Sequence, residues 1–440
     1  MNRLPHACRS SLLEHHKFQK ERLISWSLDR LLDAGRMFKQ GKDGRRKIAS
    51  QILKEVQLRL AKQHRLCLEM KDSIESEINT NRNVFSEGTS KKPVIRAVTK
   101  NPFSSPKNVL MERKSLEKYV SDLEAMHADT YRLVWQLYPT NKLDDPAVIR
   151  NFTAPNETLI NGVFEQIRSR HAHSVDALAN IVILESKRDE DDRSPNLPIL
   201  SSLFLEGRIC VQLLCDHYVG LHKQAIALHK VKGSAKSGEM QEPHQFGAVS
   251  FRCDIWSVMK DAVAEASAIC ETNLGVVPEV RMIVQKEKNE YVSDESLLQM
   301  DGPTPRKATI VQAWAHDCFV EILKNSMQSS VIRDKLHPPH ILVSIEDEGD
   351  RIKIRIKDNG IGLDDSGLEK AFNFARTGEG QLYDRLDHQQ SYAAVTTPIS
   401  GLGVGLPLSR LMMRKFGGDL ILETSEKEPG VTASLYFNTN

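Results

Sequence analysis

Three short motifs near the end of the sequence constrain its fold more than any other feature. They occur in a fixed order, as the segments 321–325 and 358–362 and a glycine-rich turn at 401–407. Each motif alone is common in proteins that bind no nucleotide. Their order along one chain favours a single nucleotide site that is assembled from three separated segments.

The first motif lies in a segment with helical periodicity. At about 100° per residue, polar and apolar side chains fall on opposite faces. The polar face consists of Asp317, Glu321, Lys324, Asn325 and Gln328, and the apolar face of Phe319, Val320, Ile322, Leu323 and Met327. The pattern predicts a helix that packs on the core and carries reactive groups on its outer face. A face that is merely solvated is the alternative interpretation.

An alternating pattern predicts a β-hairpin directly before the second motif. Isoleucine and valine alternate with polar residues over 341–345 and again over 352–356, and the acidic segment 347–350 supplies the turn. Asp358 therefore follows the end of a half-buried strand. A carboxylate at this position could accept a hydrogen bond from an exocyclic amine such as that of adenine. A ligand-free turn is the alternative for Asn359 and Gly360.

The glycine-rich turn runs into another predicted helix. Gly401, Gly403 and Gly405 lead up to Pro407, and proline suits the first turn of a helix. The backbone amides at such a helix end can hold phosphate groups. A last hairpin follows, with alternating apolar residues over 420–422 and 431–437. These elements predict helices laid on one face of a mixed sheet.

At these motifs the chain resembles the GHKL ATPase superfamily, and within it the mitochondrial protein kinases. The segments 321–327, 405–411 and 416–420 look like those of pyruvate dehydrogenase kinase, and so does the upstream segment 167–171. The resemblance implies an α+β chain, in which an N-terminal helical bundle is followed by a GHKL (Bergerat-type) α/β sandwich that binds ATP.

The resemblance also implies roles for individual residues. Glu321 is expected to be the catalytic base at a substrate serine, Asn325 to be a ligand of Mg²⁺, and Asp358 to bind the adenine amine. Further contacts with ATP are expected from Lys324, Gly360, Gly362, Gly401, Leu402, Gly403, Val404, Gly405, Leu406 and Thr432. The implied cofactors are ATP and Mg²⁺.

The implied function is that of a protein-serine kinase of the mitochondrial matrix. It would phosphorylate and inactivate the decarboxylase component of a 2-oxo acid dehydrogenase complex, with pyruvate dehydrogenase as the preferred target. The expected partners are that decarboxylase component, the lipoyl-bearing core of the complex and a second copy of the chain. The sequence ends at Asn440, soon after the last predicted strand, and in this respect it looks more like the branched-chain 2-oxo acid dehydrogenase kinase.

Two other functions remain open at this point. A histidine kinase-like enzyme would share the ATP site, although the sequence lacks the acceptor motif of that class. Histidines of the bundle, namely His171, His173 and His217, are more typical of packing than of phosphate acceptance. A scaffold that binds ATP without transferring phosphate is the second alternative, and the presence of Glu321 near Asn325 argues against it.

Composition excludes several other classes of protein. The formal net charge is +2 and 27% of residues are charged, without a sustained basic patch, so a nucleic-acid partner is not expected. No continuous apolar run approaches the roughly 20 residues that span a bilayer, which predicts no membrane span. Seven cysteines without a C-x-x-C pair are typical of free thiols in a reducing compartment.

Composition and the resemblance together predict the division of the chain. The first residues are basic and lack acidic side chains, which is compatible with a mitochondrial targeting segment. The predicted regions are targeting segment 1–20, helical bundle 21–232 with a flexible insertion at 84–109, linker 233–246, and ATP-binding kinase domain 247–440 with an ATP lid at 377–400.

Overall fold

The fold is taken from a computed structural model of the chain. It describes residues 23, 25–84, 106–137, 154–188, 193–232, 244–286, 290–293, 307–374, 403–425 and 428–438. Several predicted features lie outside these residues, namely the targeting segment, nearly all of the 84–109 insertion, most of the linker, the ATP lid, Gly401 and Leu402.

The chain divides into two compact units. The first comprises Met1–Ser25 and Gln40–Val219, and the second comprises Trp26–Lys39 and Gly220–Asn440. This division differs from the predicted regions in two respects. It falls within a long helix at Gly220 rather than after that helix, and it assigns the N-terminal helix to the second unit because that helix packs on strands near residue 250.

The first unit is helical, as its apolar periodicity predicts. The N-terminal helix of the second unit is α1 (Leu28–Lys39), and it is followed by α2 (Lys42–Val84), α3 (Pro106–Leu137), α4 (Ala154–Arg170), α5 (Ser174–Ser186) and α6 (Leu197–Lys232). Helix α2 packs on α3, and α3 packs on α5. The predicted apolar positions Ala49, Ile52, Leu53, Val56 and Leu60 are all buried.

Buried polar side chains tie the long helix α2 to its neighbours. The Gln57 side chain donates to the Val134 carbonyl of α3 over 3.2 Å, and the Gln63 side chain donates to the Phe204 carbonyl of α6 over 3.2 Å. A hydrogen bond offsets the cost of removing each amide from water. The bundle therefore has specific polar cross-links as well as an apolar core.

One helix of the described residues is long and apolar enough to cross a membrane by length and composition. It is the segment Leu197–Leu228 of α6, and 61% of its apolar window is buried within the protein. A single helix of this kind is weak evidence for a membrane span, because the core helix of a soluble protein has the same properties. The absence of a membrane span therefore stays a prediction.

The second unit combines two sheets with helices. Its remaining elements are β1 (Gln245–Phe246), β2 (Val249–Cys253), α7 (Ile255–Leu274), β3 (Val280–Lys286), β4 (Glu290–Ser293), β5 (Ala308–Val311), α8 (Gln312–Arg333), β6 (Ile341–Asp347), β7 (Arg351–Lys357), α9 (Asp365–Lys370), α10 (Gly405–Arg414), β8 (Asp419–Glu423) and β9 (Thr432–Asn438). Among the described strands, the larger sheet has the order β4-β3-β6-β7-β9-β8, and the smaller has the order β1-β2-β5.

Both predicted hairpins are present in the larger sheet. Strands β6 and β7 pair antiparallel, as do β8 and β9, whereas β3 and β6 pair parallel. Helix α8 contacts β6 and β7 and also packs on α7 and α10. The prediction of an α+β fold, with a helical region followed by helices on a mixed sheet, is confirmed.

Helix α1 approaches β1 closely at Gly35. A Cβ atom added at Gly35 would lie 2.4 Å from Cβ of Phe246 and 2.8 Å from its Cγ. Both are atoms at the base of the phenylalanine side chain, so they can move aside only with the backbone of β1. Glycine at position 35 therefore allows α1 to pack against β1 within the second unit.

We expect Gly35→Ala to destabilise the second unit by about 1–3 kcal/mol, because overpacking at this contact outweighs the better helix propensity of alanine. Urea unfolding of the full chain measures the effect. Gly162→Ala is the matched control, since it lies in helix α4 and nothing is within 4 Å of its added Cβ. The control should be neutral or stabilising by up to about 1 kcal/mol. Equal midpoints for the two variants would contradict the packing of α1.

Candidate nucleotide site

Helix α8 carries the residues of the first motif. The Asn325 side chain is exposed, the Glu321 side chain is 33% exposed, and Lys324 is only 2% exposed. Lys324 is therefore buried, although the helical periodicity places it on the outer, polar face together with Glu321 and Asn325. Its aliphatic stem is buried and its ammonium group donates to Oε1 of Glu321 over 2.6 Å, so that each charge has a partner.

The start of helix α10 lies beside the Glu321 carboxylate. An added Cβ at Gly405 would stand 2.3 Å from Oε2 of Glu321, so the carboxylate rests against the glycine backbone. The two helices are also joined where Cys318 donates to the Ser409 carbonyl over 3.6 Å. Burial raises the pKa of the Cys318 thiol to about 12. The first and third motifs are thus adjacent.

Asp358 lies directly after strand β7 and is only 3% exposed. Its Oδ1 accepts hydrogen bonds from the backbone N–H groups of Gly360 at 2.9 Å and Val431 at 3.3 Å. A further bond comes from the Ser326 hydroxyl. Burial raises the pKa of the Asp358 carboxyl above its usual range, and these hydrogen bonds oppose the rise. Oδ1 of Asp358 is therefore held by backbone donors from two separate segments of the chain.

The second motif docks on helix α8 one turn beyond Asn325. The Ile361 N–H donates to the Ser329 hydroxyl over 3.1 Å, and Gly360 packs closely against Ser329. Sequence reasoning did not single out Ser326 or Ser329. Ser329 lies four residues after Asn325 and therefore shares its helical face, so the spacing could have indicated it.

The remaining predicted residues lie around these contacts. A Cβ atom added at Gly362 would lie 3.5 Å from the backbone nitrogen of Gly430. Thr432 pairs with Lys357 at the end of β7, next to Asp358. Gly403, with φ of 71°, and Val404 precede helix α10, whose first residues are Gly405 and Leu406. The structure thus brings every described site residue to one end of the larger sheet or to the two helices beside it.

The histidines of the first unit have a different setting. His171 is 1% exposed, its Nε2 lies 3.0 Å from the Thr130 hydroxyl, and Arg208 donates to its backbone carbonyl over 3.1 and 3.2 Å. Burial lowers the pKa of His171 to about 2. These contacts are those of a packed, neutral side chain.

The class of the second unit follows from its fold and sequence together. Residues 311–440 match the family model described as histidine kinase-, DNA gyrase B- and HSP90-like ATPase. This match covers α8, the Asp358 loop and α10, which contain the three motifs. The matched part of the second unit is therefore similar to GHKL ATPase domains, which supports ATP binding.

Curated relatives confirm the more specific resemblance to mitochondrial protein kinases. The chain is 26% identical over 280 residues to the mitochondrial [pyruvate dehydrogenase (acetyl-transferring)] kinase of Schizosaccharomyces pombe, covering 62% of this chain and 57% of the relative. It is 26% identical over 309 residues to isozyme 3 of Homo sapiens, covering 68% and 65%. It is 28% identical over 228 residues to the kinase of Arabidopsis thaliana, covering 51% and 52%. The chain spans less than two thirds of the length of each.

We expect Asp358→Asn to raise the unfolding temperature of the ligand-free chain at neutral pH. Because burial raises the pKa of the folded carboxyl, stability falls as the pH rises from the unfolded-state pKa to the folded pKa, and the full cost of ionising Asp358 is present at neutral pH. Asparagine keeps a carbonyl acceptor for Gly360 and Val431 without the charge. The advantage of the variant should shrink as the pH falls, because protonated aspartate is no longer penalised. Thermal unfolding at several pH values measures both effects. A lower unfolding temperature for the variant at neutral pH would contradict the conclusion that burial of the ionised Asp358 costs stability.

Proposed function

We propose that this chain is a mitochondrial protein-serine kinase that uses ATP to phosphorylate the decarboxylase component of a 2-oxo acid dehydrogenase complex. The observation that carries the proposal is the position of Glu321. Its carboxylate is paired with Lys324 and lies against the start of α10, one helical turn from Asn325. Phosphoryl transfer to a hydroxyl uses a proton acceptor beside the phosphates, whereas binding alone does not require one.

The proposed reaction requires one proton acceptor and well-positioned phosphates. Glu321 takes the proton from the serine hydroxyl while the serine oxygen bonds to the γ-phosphorus of ATP, and the bond from that phosphorus to ADP breaks. Lys324 donates to Oε1 of Glu321, and we assign the proton to Oε2, the oxygen that lies beside the start of α10. The amides at the start of α10 are suited to phosphate oxygens. At the other end, Asp358 accepts a hydrogen bond from the adenine amine.

Asn325 is the proposed protein ligand of Mg²⁺. Its side chain is exposed on the same helix as Glu321, and an amide oxygen is a suitable ligand for this hard cation. Mg²⁺ usually keeps several water ligands and shares the phosphates of its nucleotide, so a single protein ligand is sufficient. The bound ion would neutralise phosphate charge.

Pyruvate dehydrogenase is the preferred target because the relatives named above are pyruvate dehydrogenase kinases. Their names also place them in mitochondria, and we propose the matrix as the compartment of this chain. The lipoyl-bearing core of the complex and a second copy of the chain are the other proposed partners. The branched-chain decarboxylase is the alternative target.

The other two functions have less support. A histidine kinase needs an accessible acceptor in its own sequence motif. His171 is buried and hydrogen-bonded, whereas His173 is exposed, but the sequence around it lacks the acceptor motif of that class. A scaffold without phosphotransfer does not explain the placement of Glu321. Phosphate that stays on serine in acid distinguishes the proposed enzyme from a histidine kinase, and incubation of the chain with labelled ATP and each purified decarboxylase identifies the target.

We expect Glu321→Gln to lower the rate of serine phosphorylation by about 10²–10⁴-fold, because the variant lacks the proton acceptor. Calorimetry with ADP should show unchanged affinity, since Glu321 does not contact adenine in the proposed site. Asp358→Asn is the matched carboxyl-to-amide control, and it should lose nucleotide affinity instead. Wild-type phosphorylation by Glu321→Gln would refute the assignment of the base.

We expect Asn325→Ala to weaken the binding of MgATP while leaving the binding of metal-free ATP unchanged. The physical reason is that the variant removes the protein's ligand to the ion but none of the proposed adenine contacts. Calorimetry with and without EDTA measures both affinities. An equal loss under the two conditions would assign Asn325 to the nucleotide rather than to Mg²⁺.

A further inference from the structure

The contact between Glu321 and Gly405 leaves no room for a side chain. The Cβ of an alanine at position 405 would lie 2.3 Å from Oε2, 3.1 Å from Cδ and 3.4 Å from Cγ of Glu321. All three are atoms of the outer part of the glutamate side chain. The contact therefore involves the proposed base itself rather than the backbone of helix α8.

The other oxygen of the same carboxylate is held as well. Lys324 donates to Oε1 of Glu321 over 2.6 Å, and the lysine side chain is only 3% exposed. A buried lysine has few alternative positions, because its ammonium group would lose its charged partner. The carboxylate is thus confined between an ion pair on one oxygen and the bare backbone of Gly405 on the other.

The helices that carry these groups cannot easily separate. Cys318, one turn before Glu321, donates to the carbonyl of Ser409, one turn after Gly405. Cys318, Ser409, Met412 and Met413 are all buried. Added volume at position 405 is therefore accommodated most cheaply by the flexible end of Glu321, because helix movement would break this packing.

We propose that Gly405 is a positioning residue for Glu321, and that it acts together with Lys324 to fix the carboxylate of the base. This inference rests on the proposed function and adds to it. In the site expected from sequence, Gly405 serves the phosphates of ATP. In the structure, the lack of a side chain at Gly405 leaves the space that Oε2 of Glu321 occupies. The third motif and the proposed proton acceptor therefore depend on each other sterically.

The consequence is a separation between binding and transfer. Displacing Glu321 leaves Asp358 and its donors Gly360 and Val431 untouched, so the adenine end of the site is preserved. The proton acceptor, however, moves away from the serine hydroxyl. A misplacement of about 1 Å at a reacting group can lower a rate about 100-fold.

The test uses the full chain, ATP with Mg²⁺ and the two purified decarboxylase components. Alanine keeps the backbone N–H that is proposed to contact phosphate, so Gly405→Ala should leave KM for ATP and affinity for ADP close to wild type. It should lower kcat for serine phosphorylation by about 10- to 100-fold. Gly162→Ala is the matched glycine control, because its helix offers open space at the added Cβ. This control should keep wild-type kcat.

A double-mutant cycle distinguishes positioning from a general packing defect. The side chain in Glu321→Asp is one methylene shorter, so its carboxylate no longer occupies the space that the added Cβ of Gly405→Ala requires. Adding Gly405→Ala to Glu321→Asp should therefore change kcat by about twofold or less, in contrast to its effect on the wild-type chain. An equal loss in both backgrounds would show a packing defect and overturn the inference.

The remaining outcomes separate the two proposals. Wild-type kcat for Gly405→Ala, measured against an active wild-type chain, overturns the positioning role alone. A Gly405→Ala variant that loses affinity for ADP in proportion to its activity also overturns this role, because the glycine then serves the nucleotide. A wild-type chain that phosphorylates neither decarboxylase overturns the proposed function and the positioning role together.

Discussion

The packing of helix α8 is the constraint on which the rest of the site depends. One face of this helix is buried against the larger sheet and the neighbouring helices α7 and α10. The Asp358 loop docks on it through Ser326 and Ser329, and the start of α10 lies against Glu321. Two segments that are distant in sequence are therefore placed by contact with a single rigid element. Such an arrangement holds functional groups more accurately than loops alone can.

The sequence predicted the fold correctly where the alternation of apolar and polar residues extends over a whole strand or several helical turns. The hairpins β6-β7 and β8-β9 alternate over several residues, and the bundle helices repeat apolar residues over many turns. The sheet β1-β2-β5 gave no comparable signal, because β1 has 2 residues and β2 is irregular, with φ of 64° at Arg252. Nor could a local pattern indicate that α1 packs on strands far along the chain.

The sequence indicated which residues form the site, but not how deeply each residue is buried or which groups donate to it. Motif order indicated which segments belong together, and the structure brings the described ones into contact. Helical periodicity, however, shows which side of the helix a residue lies on, but not whether neighbouring elements cover that residue. It therefore placed Lys324 on the outer, polar face. The actual burial of Lys324 depends on neighbouring elements and on the carboxylate of Glu321. Similarly, the donors to Asp358 are Gly360, Val431 and Ser326. They lie in three separate segments of the chain, so no single sequence motif could indicate them together.

The route of the chain through its two units affects how it can fold during synthesis. Helix α1 leaves the ribosome early, but its contact at Gly35 is with Phe246, which follows the whole of the bundle. The bundle segment Gln40–Val219 can condense on its own beforehand, whereas α1 has to remain unpaired until β1 and β2 have been translated. Long-range contacts of this kind form slowly, because the intervening loop must be closed first.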